Sequence, residues 1–248
     1  MMVDRSEDVL EADFIDEYKR GMQFFYFHLV ELHTNIFILE KVLAFPFRLF
    51  AGPDQIFFRQ VIINFYDISI LTITRMAADQ AGDLFTLHRF KNTIVQRIKD
   101  AYREPFQQRL KEVRFDEETE KLLARAKDIR NQRIAHITQQ FANNFFQRPP
   151  EQLGFNLGEL KSLRDRLTAL FQALAIDAGH RMLPIGYDTD TGQSDIEQLL
   201  DGIADKSRIL RMPEQQPEFW QAYRLPSLTD PEKDLINTYR RKFGLAPI

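Results

Sequence analysis

The chain has 248 residues, 44% of them hydrophobic, so it is long enough for one large core without demanding two. It contains no cysteine, which excludes a disulfide framework, a thiolate nucleophile and any cysteine-based zinc site. A formal net charge of −3 excludes a protein that coats nucleic acid by bulk attraction.

Asp4, Glu7, Asp8, Glu11 and Asp13 stand where a secretory leader would carry basic residues and then an apolar run, so a cytoplasmic protein is expected. Ten glycines and eleven prolines cluster between long periodic segments, the pattern of an all-α helical bundle. A first helical region runs from about Glu7 to Phe45 and must bend or break at Pro46. Gly52-Pro53-Asp54 restarts a helix, with Asp54 as N-cap, that continues to about Ala81. Its stretch from Ile56 to Met76 is the most apolar in the chain. Arg59, Gln60, Asn64 and Asp67 interrupt it with groups that a bilayer core penalises, so a buried helix is expected and no membrane partner.

A third helix is predicted over Leu87 to Val113. Within it Arg89, Lys91, Arg97, Lys99, Arg103, Arg109 and Lys111 face only Asp100 and Glu104, and such a run ordinarily means a solvated face. Phe115-Asp116-Glu117-Glu118 opens a fourth helix, reaching about Phe141, with Asp116 as cap and acids complementing the helix dipole. After Arg148-Pro149-Pro150 a fifth spans roughly Leu157 to Ala178. These helices are expected to form a bundle over residues 1–182. Residues 183–248, broken by six prolines, form an arm with two short helices near Ile196 to Ile203 and Pro231 to Phe243. Phe219, Trp220, Tyr223, Leu225 and Leu235 are too many hydrophobes for a free tail, so the arm is expected to pack on the bundle or on a partner.

The fourth helix contains Asp128-Ile129-Arg130-Asn131-Gln132-Arg133-Ile134-Ala135-His136. On a helical wheel Leu122, Leu123, Ala126, Ile129, Ile134, Ile137 and Phe141 form one apolar stripe, and Arg130 falls inside it. An arginine on such a face needs a partner or a polar pocket; a buried ion pair with Asp67 or Asp79 is the plainest answer. His136 lies about 120° from Arg130 on the wheel, so one straight helix does not bring the two together. Two copies related by a two-fold axis place both sets around a shared cleft. There a histidine can take a proton from a ribose 2′-hydroxyl or give one to the leaving oxygen, a guanidinium can hold charge on phosphate oxygens, and an adjacent amide can orient it. That chemistry needs no metal and no cofactor. If such a site cleaves RNA, Lys127 and Arg133 would help hold the strand.

Arg130-Asn131 followed by His136, in the setting Ile129-Arg130-Asn131 through Ile134-Ala135-His136, resembles the Arg-(polar)-x4-His signature of the HEPN superfamily (higher eukaryotes and prokaryotes nucleotide-binding). Upstream, Ile70-Leu71-Thr72-Ile73-Thr74-Arg75-Met76-Ala77-Ala78-Asp79, followed by Leu84-Phe85-Thr86-Leu87, is similar to the helix-two ending of its abortive-infection U-type branch. The resemblance covers about Phe14 to Ala178. It implies a dimerising bundle of about five helices and, in active members, a metal-independent endoribonuclease leaving a cyclic phosphate. Arg130 and His136 take the catalytic roles and Asn131 the supporting one. A role in antiviral defence or as a toxin follows, with RNA as substrate, a homodimer as the working form and an antitoxin or defence-system protein as a further partner. The alternative is a non-catalytic helical dimer that binds a nucleotide, an RNA or a protein.

Other signals carry less. His28 and His33 are five apart, not a one-face metal spacing, and His88 and His180 have no acidic or histidine partner at helical spacing. Asp188-Thr189-Asp190-Thr191-Gly192 has Gln193 and Leu199 where a calcium loop needs glycine and an acid, so it reads as a polar turn. Arg75 and Asp79 make an i,i+4 pair. No Gly-rich phosphate loop or Gly-x-Ser-x-Gly elbow is present.

Overall fold

A computed structural model describes residues 5–50, 56–78, 85–131, 155–177 and 193–248. Its helices are α1 (Ser6–Val9), α2 (Ile15–Ala44), α3 (Phe47–Phe50), α4 (Ile56–Ile73), α5 (Leu87–Arg97), α6 (Asp100–Glu112), α7 (Glu117–Ile129), α8 (Leu157–Leu174), α9 (Asp195–Asp205), α10 (Arg208–Gln215) and α11 (Asp230–Lys242). The fold is all-α. Among the described residues the one β-type contact is an isolated antiparallel bridge between Leu10 and Ile98. The chain divides into two compact units, Met1–Leu39 with Ile63–Ile185, and Glu40–Ile62 with Gly186–Ile248.

In the first unit α2 buries Tyr18, Met22, Phe25, Leu29, Leu32, Ile36 and Leu39, an alternation of four and three that keeps one face inward. α8 opposes it with Leu160, Leu163, Leu167, Phe171 and Leu174, and α5, α6 and α7 all pack against α8. Asn156 and Glu159 cap α8 reciprocally, each side chain accepting from the other's backbone N–H. Gly21 lets α5 approach: a Cβ there would lie 2.6 Å from two ring carbons of buried Phe90. Burial raises the Tyr18 hydroxyl above its ordinary pKa; its oxygen accepts from Ile176 N at 2.8 Å and donates to Leu174 O at 3.3 Å.

Three expectations are corrected here. The first helix does not run unbroken from Glu7, nor the third from Leu87 to Val113, and one pairing breaks both. Glu11 N donates to Arg97 O and Lys99 N to Val9 O, which draws Leu10 and Ile98 into extended backbone. The Lys99 ammonium then donates to the carbonyls of Glu7 and Asp8, closing α1. The apolar α4 is not a buried helix along its length. Ser69, Ile70, Thr72 and Ile73 are buried, whereas Ile56, Phe57, Ile63 and Ile68 are exposed. Ile56–Ala77 has the length and composition to cross a membrane, at mean hydropathy 1.4. The predicted N-cap Asp54 lies outside the described residues.

The second unit joins the α2 C-terminus, α3 and the first turns of α4 to α9, α10 and α11. Phe47 stacks on Phe58 with ring centroids 4.0 Å apart, and Phe50 meets Tyr239 edge-on at 4.7 Å. Ser194 caps α9 with Glu197, whose carboxylate also takes the Lys41 ammonium at 2.5 Å. The two expected short helices appear as α9 and α11. α10 and the irregular helical run over 217–227 were not expected from so proline-rich a stretch. Pro217 stands in the first helical turn, where no backbone N–H is required. Trp220 is buried, and Arg240 is only 1% exposed: it donates to Leu210 O, to the Glu214 carboxylate and to Ala246 O.

Candidate functional site

α7 begins where the sequence places it. Asp116 Oδ1 accepts from Thr119 N at 2.8 Å and from Thr119 Oγ1 at 2.6 Å, which holds its carboxyl below its ordinary pKa, and Oδ2 takes Arg166 at 2.9 Å. Along the helix Thr119, Leu123 and Ala126 are buried, again at spacings of four and three. The next residue in that series is Arg130. It is half-buried, at the point where the helix widens into a π-type turn over residues 130 and 131. Such turns tilt a side chain off the regular stripe and recur at functional sites.

The inner face of α7 packs against α8 and against a second π-type turn, Thr74–Ala78, which continues α4. In that turn Thr74 and Met76 are buried and Arg75 is exposed. The Thr74 hydroxyl donates to Leu71 O at 3.0 Å, engaging a carbonyl on the preceding turn. Packing thus brings the segment ending α4 against α7, far apart from it in sequence.

Arg130 Nε and Nη2 both donate to Asn131 Oδ1, at 3.0 and 2.8 Å. The neutral amide orients the guanidinium plane without cancelling its charge. Lys127, half-buried, lies one turn earlier, and its carbonyl accepts from Arg130 N. Arg133 and His136 lie outside the described residues, as do Asp79, His180 and Asp188-Thr189-Asp190-Thr191-Gly192.

The remaining histidines have ordinary structural surroundings, with one exception. His28 Nδ1 is 3.5 Å from Glu31, and its ring meets Phe24 edge-on. His33 Nε2 is 2.9 Å from Thr168 Oγ1; that hydroxyl gives its own proton to Arg164 O at 2.8 Å, so the histidine is the donor. Burial first, and then the Arg164 charge, lowers its pKa to about 4. The exception is His88, in a cleft at the opposite end of α7. Among the described residues no three histidine, aspartate or glutamate side chains converge as metal ligands would.

A protein-family model described as AbiU2, of the HEPN type, matches residues 28–199. No curated protein and no solved structure gives a significant match.

Proposed function

Because the chain belongs to the HEPN abortive-infection family AbiU2, we propose that it is a metal-independent endoribonuclease acting in antiviral defence or as a toxin. The observation that carries this reading is the clasp between Asn131 and Arg130 at the end of α7, which presents an oriented guanidinium on a partly exposed surface. A guanidinium so held suits a phosphodiester whose equatorial oxygens gain charge as the reaction proceeds.

In the reaction proposed, the ribose 2′-oxygen attacks the adjacent phosphorus and the bond to the 5′-oxygen of the next nucleotide breaks. His136 takes the 2′-hydroxyl proton or supplies one to the departing oxygen, and Arg130 neutralises the charge on phosphorus-bound oxygens. The products are a 2′,3′-cyclic phosphate and a free 5′-hydroxyl. Lys127 and Arg133 hold the strand. The working form is a cytoplasmic homodimer with both copies lining one cleft. The exposed face of α4 supports that assembly: Ile63 and Ile68 are 38% and 39% exposed, and a second copy would cover them.

The test is incubation of wild type and of His136→Ala with a labelled RNA pool in EDTA, reading fragments and end groups. Cleavage by the wild type alone, leaving cyclic phosphates, is the expected result. Equal cleavage by both, or cleavage by the wild type only when EDTA is left out, overturns the reading in favour of the non-catalytic dimer or a metal-dependent enzyme.

A further inference from the structure

The long helix α2 carries a second stripe on the side away from its core face. Tyr18, Met22, Phe25, Leu29, Leu32 and Ile36 point inward and are buried. On an ideal wheel Arg20, Phe24, Phe27, Glu31 and Thr34 all fall within about 60° of the opposite direction. Their spacings run four, three, four and three, which is the spacing of a seam between two helices. At its centre Phe24 is 45% and Phe27 60% exposed, a large apolar surface to leave in water. The Phe24 ring is already braced, edge-on to His28 at 4.5 Å and to Phe85 at 5.7 Å, so it loses little freedom when covered.

Reversed end to end, this stripe is its own complement. Arg20 and Glu31 lie equally far from the midpoint between residues 25 and 26, and so do Phe24 and Phe27. A second α2 running antiparallel, about a two-fold axis through that midpoint, sets each Arg20 against Glu31 of the other copy and each Phe24 against Phe27 of the other copy. Further out Gln23 meets His28 and Glu17 meets Thr34, so no like charges face each other along the seam. A parallel copy would stack Arg20 on Arg20 and Glu31 on Glu31, which repel. The charges are open to such a partner: Glu31 has only a loose contact, 3.5 Å from His28 Nδ1, and Arg20 makes no ion pair with a described residue.

We propose that the outer stripe of α2 is a self-association surface that takes a second copy of this chain, antiparallel, in the register Arg20 on Glu31 and Phe24 on Phe27. It is distinct from the exposed face of α4, and copies already paired through α4 join through α2 into larger assemblies. Two ring pairs and two ion pairs make a small interface, so the contact closes as protein concentration rises and opens on dilution. It rests on the register of one helix and on neither the α4 contact nor ribonuclease activity.

The experiment combines sedimentation of the full chain over a range of concentrations with cross-linking. To remove the α4 contact, sedimentation is repeated in the Ile63→Glu, Ile68→Glu background, where dilute protein is a single copy and a rising concentration brings two together. In that background Arg20→Glu weakens association at least tenfold, and adding Glu31→Arg restores it. The chain contains no cysteine, so introduced thiols report the register without background. An equimolar mixture of Arg20→Cys and Glu31→Cys is expected to cross-link with a short bifunctional thiol reagent. Either variant alone cross-links far less, because its two thiols stand roughly 16 Å apart along the seam. A single copy at every concentration in that background, a charge reversal that fails to restore association, or Arg20→Cys cross-linking to itself as well as in the mixture overturns the proposal.

Discussion

Arg130 and Asn131 are neighbours in sequence and also partners in space, with two guanidinium nitrogens meeting one amide oxygen. If Arg130 contacts the scissile phosphate, Asn131 is a positioning residue, and removing it lets the guanidinium plane drift. Asn131→Ala is expected to lower kcat about 100-fold while changing KM little. Asn131→Asp, which keeps an acceptor but cancels the guanidinium charge, is expected to lose at least as much activity as alanine. Single-turnover cleavage assays, with helicity checked by circular dichroism, separate these outcomes from simple unfolding.

Gly21 lies hard against the Phe90 ring. Gly21→Ala inserts a methyl 2.6 Å from two ring carbons and 3.1 Å from Phe85, and a buried ring has little room to yield. Overpacking of this kind costs about 1–3 kcal/mol. Urea denaturation measures it, and Phe90→Leu in the same chain is expected to recover part of the loss. Additive losses in the double variant count against a direct clash.

Much of this core was legible in advance. The α7 cap follows from Asp116 with acids behind it, and the half-buried position of Arg130 follows from helical spacing alone. The break between α5 and α6 was not legible, because Ile98 and Lys99 contain neither glycine nor proline. What breaks the helix is Leu10, distant in sequence, claiming the backbone of Ile98. The exposure of α4 was missed for a related reason: composition reports how apolar a helix is, not whether a neighbour exists to cover it. The cleft around His88 escaped because α5, α6, the start of α7 and α8 all contribute to it, and the basic run on α5 and α6 read as an ordinary solvated face.

His33 makes the first unit sensitive to mild acid. Its folded pKa of about 4 lies below the unfolded value of 6.5, so the unfolded chain binds more protons between those limits. The stability contribution is complete above pH 6.5 and declines as the pH falls toward 4, by about 1.4 kcal/mol per unit at its steepest. The urea midpoint should therefore fall from pH 7 to pH 5, and His33→Gln should flatten that fall. A histidine variant with the same pH slope as wild type refutes the assignment.

Arg240 organises the second unit. Arg240→Ala strips hydrogen bonds from the carbonyls of Leu210 and Ala246 and leaves a cavity beside buried groups, at a cost of about 2–4 kcal/mol. Trp220 is the one tryptophan in the chain and is buried in this same unit, so its fluorescence reports the loss directly.

Dimerisation through α4 predicts that Ile63→Glu with Ile68→Glu yields a monomer by sedimentation and abolishes cleavage together with it. Both side chains are exposed, so helicity is expected to survive. A monomer with full activity rules out a site shared between copies.

The second unit also has an order of assembly. Phe45 and Phe50 are synthesised early, yet both their rings rest on Tyr239. At ribosomal rates of roughly 5–20 residues per second, their partner emerges roughly 10–40 seconds later. Through that interval Phe45 and Phe50 lack the Tyr239 ring, although Phe47 already has Phe58 to stack on. The yield of the second unit is then expected to depend on the rate of synthesis as well as on its final stability.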